Sequence, residues 1–252
     1  MSSPSATRWA KATATSLGLL ALALTPTGCS LPQEASAFEQ TGEIIALSGG
    51  DAGAQGACIL CHGLKGEGDG NLVPRLAGLD RGYFARQMEF FAEGQRRHPQ
   101  MAWIAGRLDW PARQKLADYY AELPAPEPDP RWQPDEAACS PATAALYHRG
   151  DPSRGLQACA ACHGADGMGV GAGNPPLAGQ PAPYLAEQLR AWRSGKRHGD
   201  PLRAMTHVSR LLANEEVTAL AGYSSALRGA TSYPELPAAC LQTRRPDPRS
   251  GA

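Results

Sequence analysis

The chain has 252 residues, 42% of them hydrophobic and 19% charged, with a formal net charge of zero. That balance excludes a multispanning membrane protein and leaves no strong global field to draw in nucleic acid or an acidic partner. Glycine (28) and proline (22) are abundant and aromatics make up only 6%, so the pattern is of loop-rich modules short of ordinary core-forming side chains.

The N-terminal segment reads as an address. Arg8 and Lys11 precede the apolar run "ATATSLGLLALAL" at 12–24, which is too short to span a bilayer and fits a secretory signal. "TPTGCS" sets Gly28 before Cys29 as a lipoprotein box does, although Pro26 stands where an aliphatic residue is usual. "ASA" at 35–37 offers a second cleavage site. Residues 1–29 are therefore expected to be a signal or lipoprotein segment. The mature product is expected to be exported to the periplasmic side, with lipidation of Cys29 as a possible membrane anchor.

Beyond it, "CILCHG" at 58–63 returns as "CAACHG" at 159–164. A shift of 101 carries Cys58, Cys61, His62 and Gly63 onto Cys159, Cys162, His163 and Gly164. The same shift carries Pro74 onto Pro175, Tyr83 onto Tyr184, Gln87 onto Gln188, Gly94 onto Gly195 and Arg96 onto Arg197. From Met101 and Met205 onward the shift is 104, which places three inserted residues in a loop before Met205.

Helical periodicity follows in both copies. "RGYFARQMEFFAEG" spaces Tyr83, Phe84, Gln87, Met88 and Phe91 along one face, and "APYLAEQLRAWRSG" repeats this with Tyr184, Leu185, Gln188, Leu189 and Trp192; a glycine closes each. Later helices are expected over about 111–123, capped by Asp109, and over about 215–227, capped by Asn214. Strand alternation is absent and the fold class is all-α. Between the copies, "LPAPEPDPRWQPDEAAC" reads as an extended, proline-rich acidic linker, and "TRRPDPRSGA" as a disordered tail. The expected organisation is residues 38–123 as domain 1, 124–138 as linker, 139–240 as domain 2 and 241–252 as tail.

Cys-x-x-Cys-His has three physical readings. A disulfide oxidoreductase site belongs in a βαβ setting, and no strands are visible. A zinc site needs a second close cysteine pair within each module, which is lacking. In the third reading each thiol bonds a haem vinyl group and the histidine supplies an axial nitrogen to the iron. Export agrees with that chemistry, and two copies imply two covalently bound haem c groups with His62 and His163 as proximal ligands.

A distal ligand is then needed. Met88 lies in an apolar helical stripe matched by Leu189 and reads as core, while Met168 has no counterpart. Met101 and Met205 match each other, 39 and 42 residues after their histidines, and are the expected distal ligands. His98, His198 and His207 hold no matched register and read as exposed loop residues; His148 offers no chemistry of its own.

The pattern "CAACHGADG…NPPLAGQ…YLAEQL…M" and its fainter twin resemble the dihaem cytochrome c4 family, two class I cytochrome c domains in tandem, over about residues 38–230. That resemblance implies that Pro74 and Pro175 lie beside the proximal histidines, where a backbone carbonyl orients each imidazole, and that Tyr83 and Tyr184 begin helices lining the haem pockets. It implies a one-electron carrier with two His/Met haems and no catalytic residue of its own. Such a carrier would serve redox partners such as a quinol-oxidising complex, a dehydrogenase or a haem-copper terminal oxidase. An electron-accepting subunit of a flavin or molybdenum dehydrogenase is the alternative. A dihaem thiosulfate-oxidising enzyme or peroxidase fits less well, because no cysteine shares the register of Met101 or Met205 and neither haem would be open.

Two features depart from the family pattern. Cys139 and Cys240 flank the second module alone and are expected to form a disulfide in an exported chain, with free thiols as the alternative. The linker is longer and more acidic than the family implies, which argues against tight packing of the two domains.

Overall fold

The computed structural model describes residues 40–125, 134–227, 235–238 and 240. The expected signal segment with Cys29, most of the expected proline-rich linker and the expected 241–252 tail lie outside the described residues. No helix among the described residues is long and apolar enough to cross a membrane.

Among the described residues, ten α-helices fall into two sets of five in the same order. The first set is α1 (Gly42–Ser48), α2 (Ile59–His62), α3 (Arg81–Ala92), α4 (Pro99–Ala105) and α5 (Trp110–Glu122). The second is α6 (Pro141–Arg149), α7 (Ala160–His163), α8 (Ala182–Arg193), α9 (Ala204–Leu211) and α10 (Asn214–Ala226). Among the described residues the β content is two isolated bridges, so the chain is all-α.

The long helices form where the apolar spacing predicts them. In α3, Phe84, Ala85, Gln87, Met88 and Phe91 are buried, and the Asp80 carboxylate caps the helix by accepting from Tyr83 N at 2.7 Å. Asp109 caps α5 in the same way through Ala112 N at 2.8 Å. The cap expected at Asn214 is displaced by one position. Ala213 is the cap residue, its N–H donates to Glu216 at 2.8 Å, and Asn214 instead accepts from Arg193. Past α3 and α8 the chain turns at Gly94 (φ 75°) and Gly195 (φ 71°), in the left-handed region that glycine enters without strain.

The short helices escape the sequence reading. α1, α4, α6 and α9 have seven to nine residues, too few to show a period or to persist alone in water. They are held by packing: α1 lies on α5 and α4 on α3, while α6 lies on α10 and α9 on α8. Each set thereby encloses its own core. The first is built around Ile45, Leu116, Ala117 and Tyr120, and the second around Tyr147, Val217, Leu220, Tyr223 and Leu227.

Cys139 and Cys240 form a disulfide, with an S–S distance of 2.07 Å, that ties the approach to α6 to the segment beyond α10. The three-residue insertion before Met205 forms a turn in which Leu202 and Arg203 are left-handed (φ 55° and 56°), and Leu202 is fully exposed.

The expectation of loosely packed domains is overturned. Arg96 and Arg197 form an antiparallel bridge between the two sets, with Arg97 N donating to Lys196 O (2.9 Å) and His198 N to Gln95 O (2.8 Å). Gln180 closes a reciprocal pair with the Arg75 backbone, accepting at 3.1 Å and donating at 2.9 Å. The Arg75 guanidinium reaches Ala178 O at 3.0 Å as well as Ala77 O in its own half. Buried groups of one half are thus satisfied by the other, each such hydrogen bond contributing about 0.5–1.5 kcal/mol net, and about 1.5–3 kcal/mol where the guanidinium donates. Linker composition governs reach, not adhesion, which is why it misled.

Candidate haem sites

Each Cys-x-x-Cys-His motif forms one helical turn, α2 or α7. Cys58 and Cys159 sit at the N-caps, half-buried, while Cys61 and Cys162 are exposed. Burial pushes the Cys58 thiol up and raises that of Cys159 to about 11. Gly63 and Gly164 then turn the chain at φ 80° and 81°. With ψ at 159° and 151°, both glycines occupy a backbone region open essentially to glycine alone, which is why glycine follows each histidine.

The two histidines are equivalent in detail. His62 Nδ1 lies 2.9 Å from Pro74 O, and His163 Nδ1 lies 2.9 Å from Pro175 O. A carbonyl only accepts, so each Nδ1 carries the proton and each Nε2 keeps its lone pair. Both rings are buried, and desolvation lowers both pKa values despite the opposing pull of the proline carbonyls. Each imidazole is therefore neutral, of fixed tautomer, and able to donate to a metal through Nε2.

A continuous cavity of about 560 Å³ is lined by both motifs. His62, Pro74, Tyr83 and Met101 face it from the first half, and His163, Pro175, Tyr184 and Met205 from the second. Leu79, Phe84, Ile104 and Leu116 contribute its apolar wall in the first half, and Leu185, Val208 and Leu220 in the second. Met88 also lines it but is a buried core residue of α3, whereas Met168 is exposed. His98 caps α4 by accepting from Met101 N at 3.3 Å. His207 is exposed but lies within α9, not in a loop, and His148 on α6 bonds the Tyr223 hydroxyl at 2.8 Å.

Between the motifs lies a charged network that crosses from one half to the other. Arg96 donates to Gln87 Oε1 (3.0 Å) on its own side and to the Tyr184 hydroxyl and Gln188 Oε1 (both 2.7 Å) on the other. Arg197 mirrors it, donating to Gln188 Oε1 (3.0 Å), to the Tyr83 hydroxyl (3.0 Å) and to Gln87 Oε1 (2.8 Å). Each guanidinium also lies over a ring, Arg96 on Phe91 at 4.5 Å and Arg197 on Trp192 at 3.7 Å. The sequence reading overlooked this cluster, although its signal was present: all three residues of each set hold the 101-residue register.

This network tests the fit of a haem. Arg96 and Arg197 are 7% and 4% exposed, line the cavity, and have no carboxylate partner among the described residues. Burial, and then the charge of Arg96, lowers the Arg197 pKa. Two buried cations without counter-charge are costly, so whatever fills the cavity should bring negative charge. A haem, apolar in body and edged with two carboxylates, meets the apolar wall, the paired thiols, the free Nε2 atoms and the cations together.

Comparisons with known proteins agree. The cytochrome c family profile matches residues 153–225. The chain is 42% identical over 183 residues to a thiosulfate dehydrogenase electron acceptor from Stutzerimonas stutzeri, covering 72% of this chain and 84% of that one. It is 32% identical to cytochrome c4 of Thiocapsa roseopersicina, covering 71% and 91% respectively. Among solved structures, the thiosulfate dehydrogenase TsdBA of Marichromatium purpuratum superposes with a TM-score of 0.64 at 44% identity, over 73% of this chain and 39% of that longer one. The twin motifs, the paired five-helix halves and these likenesses make the chain a member of the dihaem cytochrome c4 family, an electron-transfer protein carrying two covalently attached haem c groups.

Proposed function

We propose that this chain is an exported one-electron carrier that accepts electrons from a thiosulfate dehydrogenase and passes them to a respiratory acceptor such as a terminal oxidase. The observation that carries the electron-transfer role is the pair of equivalent histidine–proline contacts facing one cavity across a shared cationic seam. The donor is inferred from relatives described as thiosulfate dehydrogenase electron acceptors, at 42% and 39% identity.

Bound haem iron supplies the chemistry, holding one electron by cycling between ferric and ferrous states. The remaining work falls to side chains. Cys58 with Cys61, and Cys159 with Cys162, would tether the two groups, while His62 and His163 present oriented Nε2 lone pairs. Met101 and Met205 would close the distal faces with soft thioether sulfur, favouring ferrous iron and excluding oxygen and peroxide. Tyr83 and Tyr184 hold the arginines of the opposite half, and those buried cations would offset the carboxylate charge of a bound haem. Full coordination favours transfer over catalysis, so no catalytic residue is assigned.

Export is supported by the N-terminal apolar run and by the Cys139–Cys240 disulfide, a bond that persists in oxidising compartments. Lipidation of Cys29 would hold the carrier at the membrane.

A second reading is favoured by one observation: the similar segment in Marichromatium purpuratum lies within a longer dehydrogenase chain. The carrier would then be a fixed subunit of the enzyme and not a shuttle. Mixing the purified oxidised protein with thiosulfate and a catalytic amount of thiosulfate dehydrogenase separates the possibilities. The proposal expects reduction of both haems at turnover rates by a freely diffusing protein. Reduction no faster than by thiosulfate alone would refute the donor. Co-purification at fixed stoichiometry would establish the subunit.

A further inference from the structure

We propose that Arg113 and Arg193 are positioning residues that hold the methionine-bearing helices in place, a reading that rests on Met101 and Met205 being the distal ligands. α4 and α9 have seven and eight residues. Helices that short are marginal on their own, and their last carbonyls lack intrahelical partners. Where such a helix points is decided by what grips its end.

In the first half the grip comes from α5. Arg113 is 9% exposed, and its Nη2 donates at 2.8 Å to Ala105 O, the last carbonyl of α4. Glu89 of α3 holds the same guanidinium from the other side. The matching position in the second half, 104 residues on, is Val217, a fully buried apolar residue that can do no such work.

There the grip comes from α8. Arg193 donates through Nε to Ser209 O (2.9 Å) and through Nη2 to Leu212 O (2.6 Å) at the end of α9, and through Nη1 to Asn214 Oδ1 (2.6 Å). Arg154 adds a longer bond of 3.3 Å to Leu211 O. The position matching Arg193 in the first half is Ala92. Arginines at unrelated positions on different helices thus bind the same end of equivalent helices. In each case a cation meets the negative end of the helix dipole and ties the methionine helix to a neighbouring long helix.

The consequence concerns the ferric state. Thioether is a soft ligand and binds ferric iron less well than ferrous. A helix free to tilt would therefore release its sulfur first when the iron is oxidised. An external ligand competing for ferric iron binds in proportion to the fraction of open sites, so loosening the grip should raise its affinity at one haem only.

The test uses the full-length holoprotein. Imidazole is titrated into the oxidised form while the red-region charge-transfer band of methionine-ligated ferric haem is followed, with unfolding midpoints measured in parallel. For Arg193→Leu we expect about tenfold tighter imidazole binding at one haem, equivalent to about 1.4 kcal/mol, with the other haem unchanged. Arg193→Lys, which can reach one carbonyl, should fall between. Arg113→Leu, or Glu89→Gln if that variant does not fold, should affect the other haem. Met205→Ala identifies the haem and tests the underlying reading. If it leaves the band intact, the ligand assignment fails and the proposal with it. If it removes about half the band while Arg193→Leu leaves both imidazole affinities within about twofold of the original, the positioning role alone is overturned. A lowered unfolding midpoint with unchanged imidazole affinity would likewise assign Arg193 to stability only.

Discussion

The two halves share the key residues that face the common cavity and differ in what supports them. Both place a histidine 2.9 Å from a proline carbonyl, both present a methionine to the common cavity, and each lends an arginine to the other. Behind that surface the equivalence ends. The second half carries a disulfide, a Tyr147 hydroxyl that donates to Gly164 O at 2.8 Å, and an Arg193 grip on α9. The first half has the part-buried Arg113–Glu89 pair, and its buried Tyr120 ring stacks on Phe84. The exposed apolar rims differ too. Leu60, Leu64 and Leu72 line the first motif, where the matched positions hold Ala161, Ala165 and Gly173; the second exposes Met168 and Val170. Requirements imposed by the cofactor survive duplication, whereas requirements of packing are met by whatever residues are at hand.

The largest expected effect breaks one half and spares the other. Met101→His and Met205→His should each lower one redox wave by a few tenths of a volt, a fraction of the roughly 0.8 V range that axial ligands span. Spectroelectrochemistry would show one moved wave per variant, and two unmoved waves would contradict the assignment. Replacing Cys139 and Cys240 together by serine should cost the second half about 3–5 kcal/mol, since the bridge closes a 101-residue span. Denaturant unfolding followed at each haem should show the first half little changed.

Arg96→Gln and Arg197→Gln test the shared seam. A buried cation disfavours ferric iron, so its removal should lower both potentials together, by tens of millivolts, on the scale where 59 mV corresponds to about 1.4 kcal/mol for one electron. A shift confined to one wave would contradict a shared role. The smallest difference concerns caps. Asp80 caps α3 through its side chain, whereas Pro181 offers α8 none, so Asp80→Ala should destabilise the first half by about 1 kcal/mol in thermal unfolding.

Much of this arrangement is legible in the sequence, for identifiable reasons. The repeat exposes both motifs at once, and twelve- or thirteen-residue helices such as α3 and α10 are long enough to display their period. Pro74 and Pro175 stand out because they hold the 101-residue register. α4 and α9 do not, because their helical state comes from contacts that no local pattern records. The register marks the residues of the seam but not that their partners lie in the other half. Tyr83 and Gln87 read as part of one module's own stripe and Arg96 as a register match after it, yet their partners lie 88 to 114 residues away in the other copy. Arg113 and Arg193 have no repeat signal at all, since they match Val217 and Ala92.

The account depends on two tethered cofactors, one for each histidine–proline pair. Intact-mass spectrometry of the denatured, mature polypeptide measures this directly. It should show the chain plus two haem masses that survive removal of all non-covalent ligands, with one lost in Cys58→Ser/Cys61→Ser and the other in Cys159→Ser/Cys162→Ser. A mature chain carrying one haem mass, or none, would contradict it.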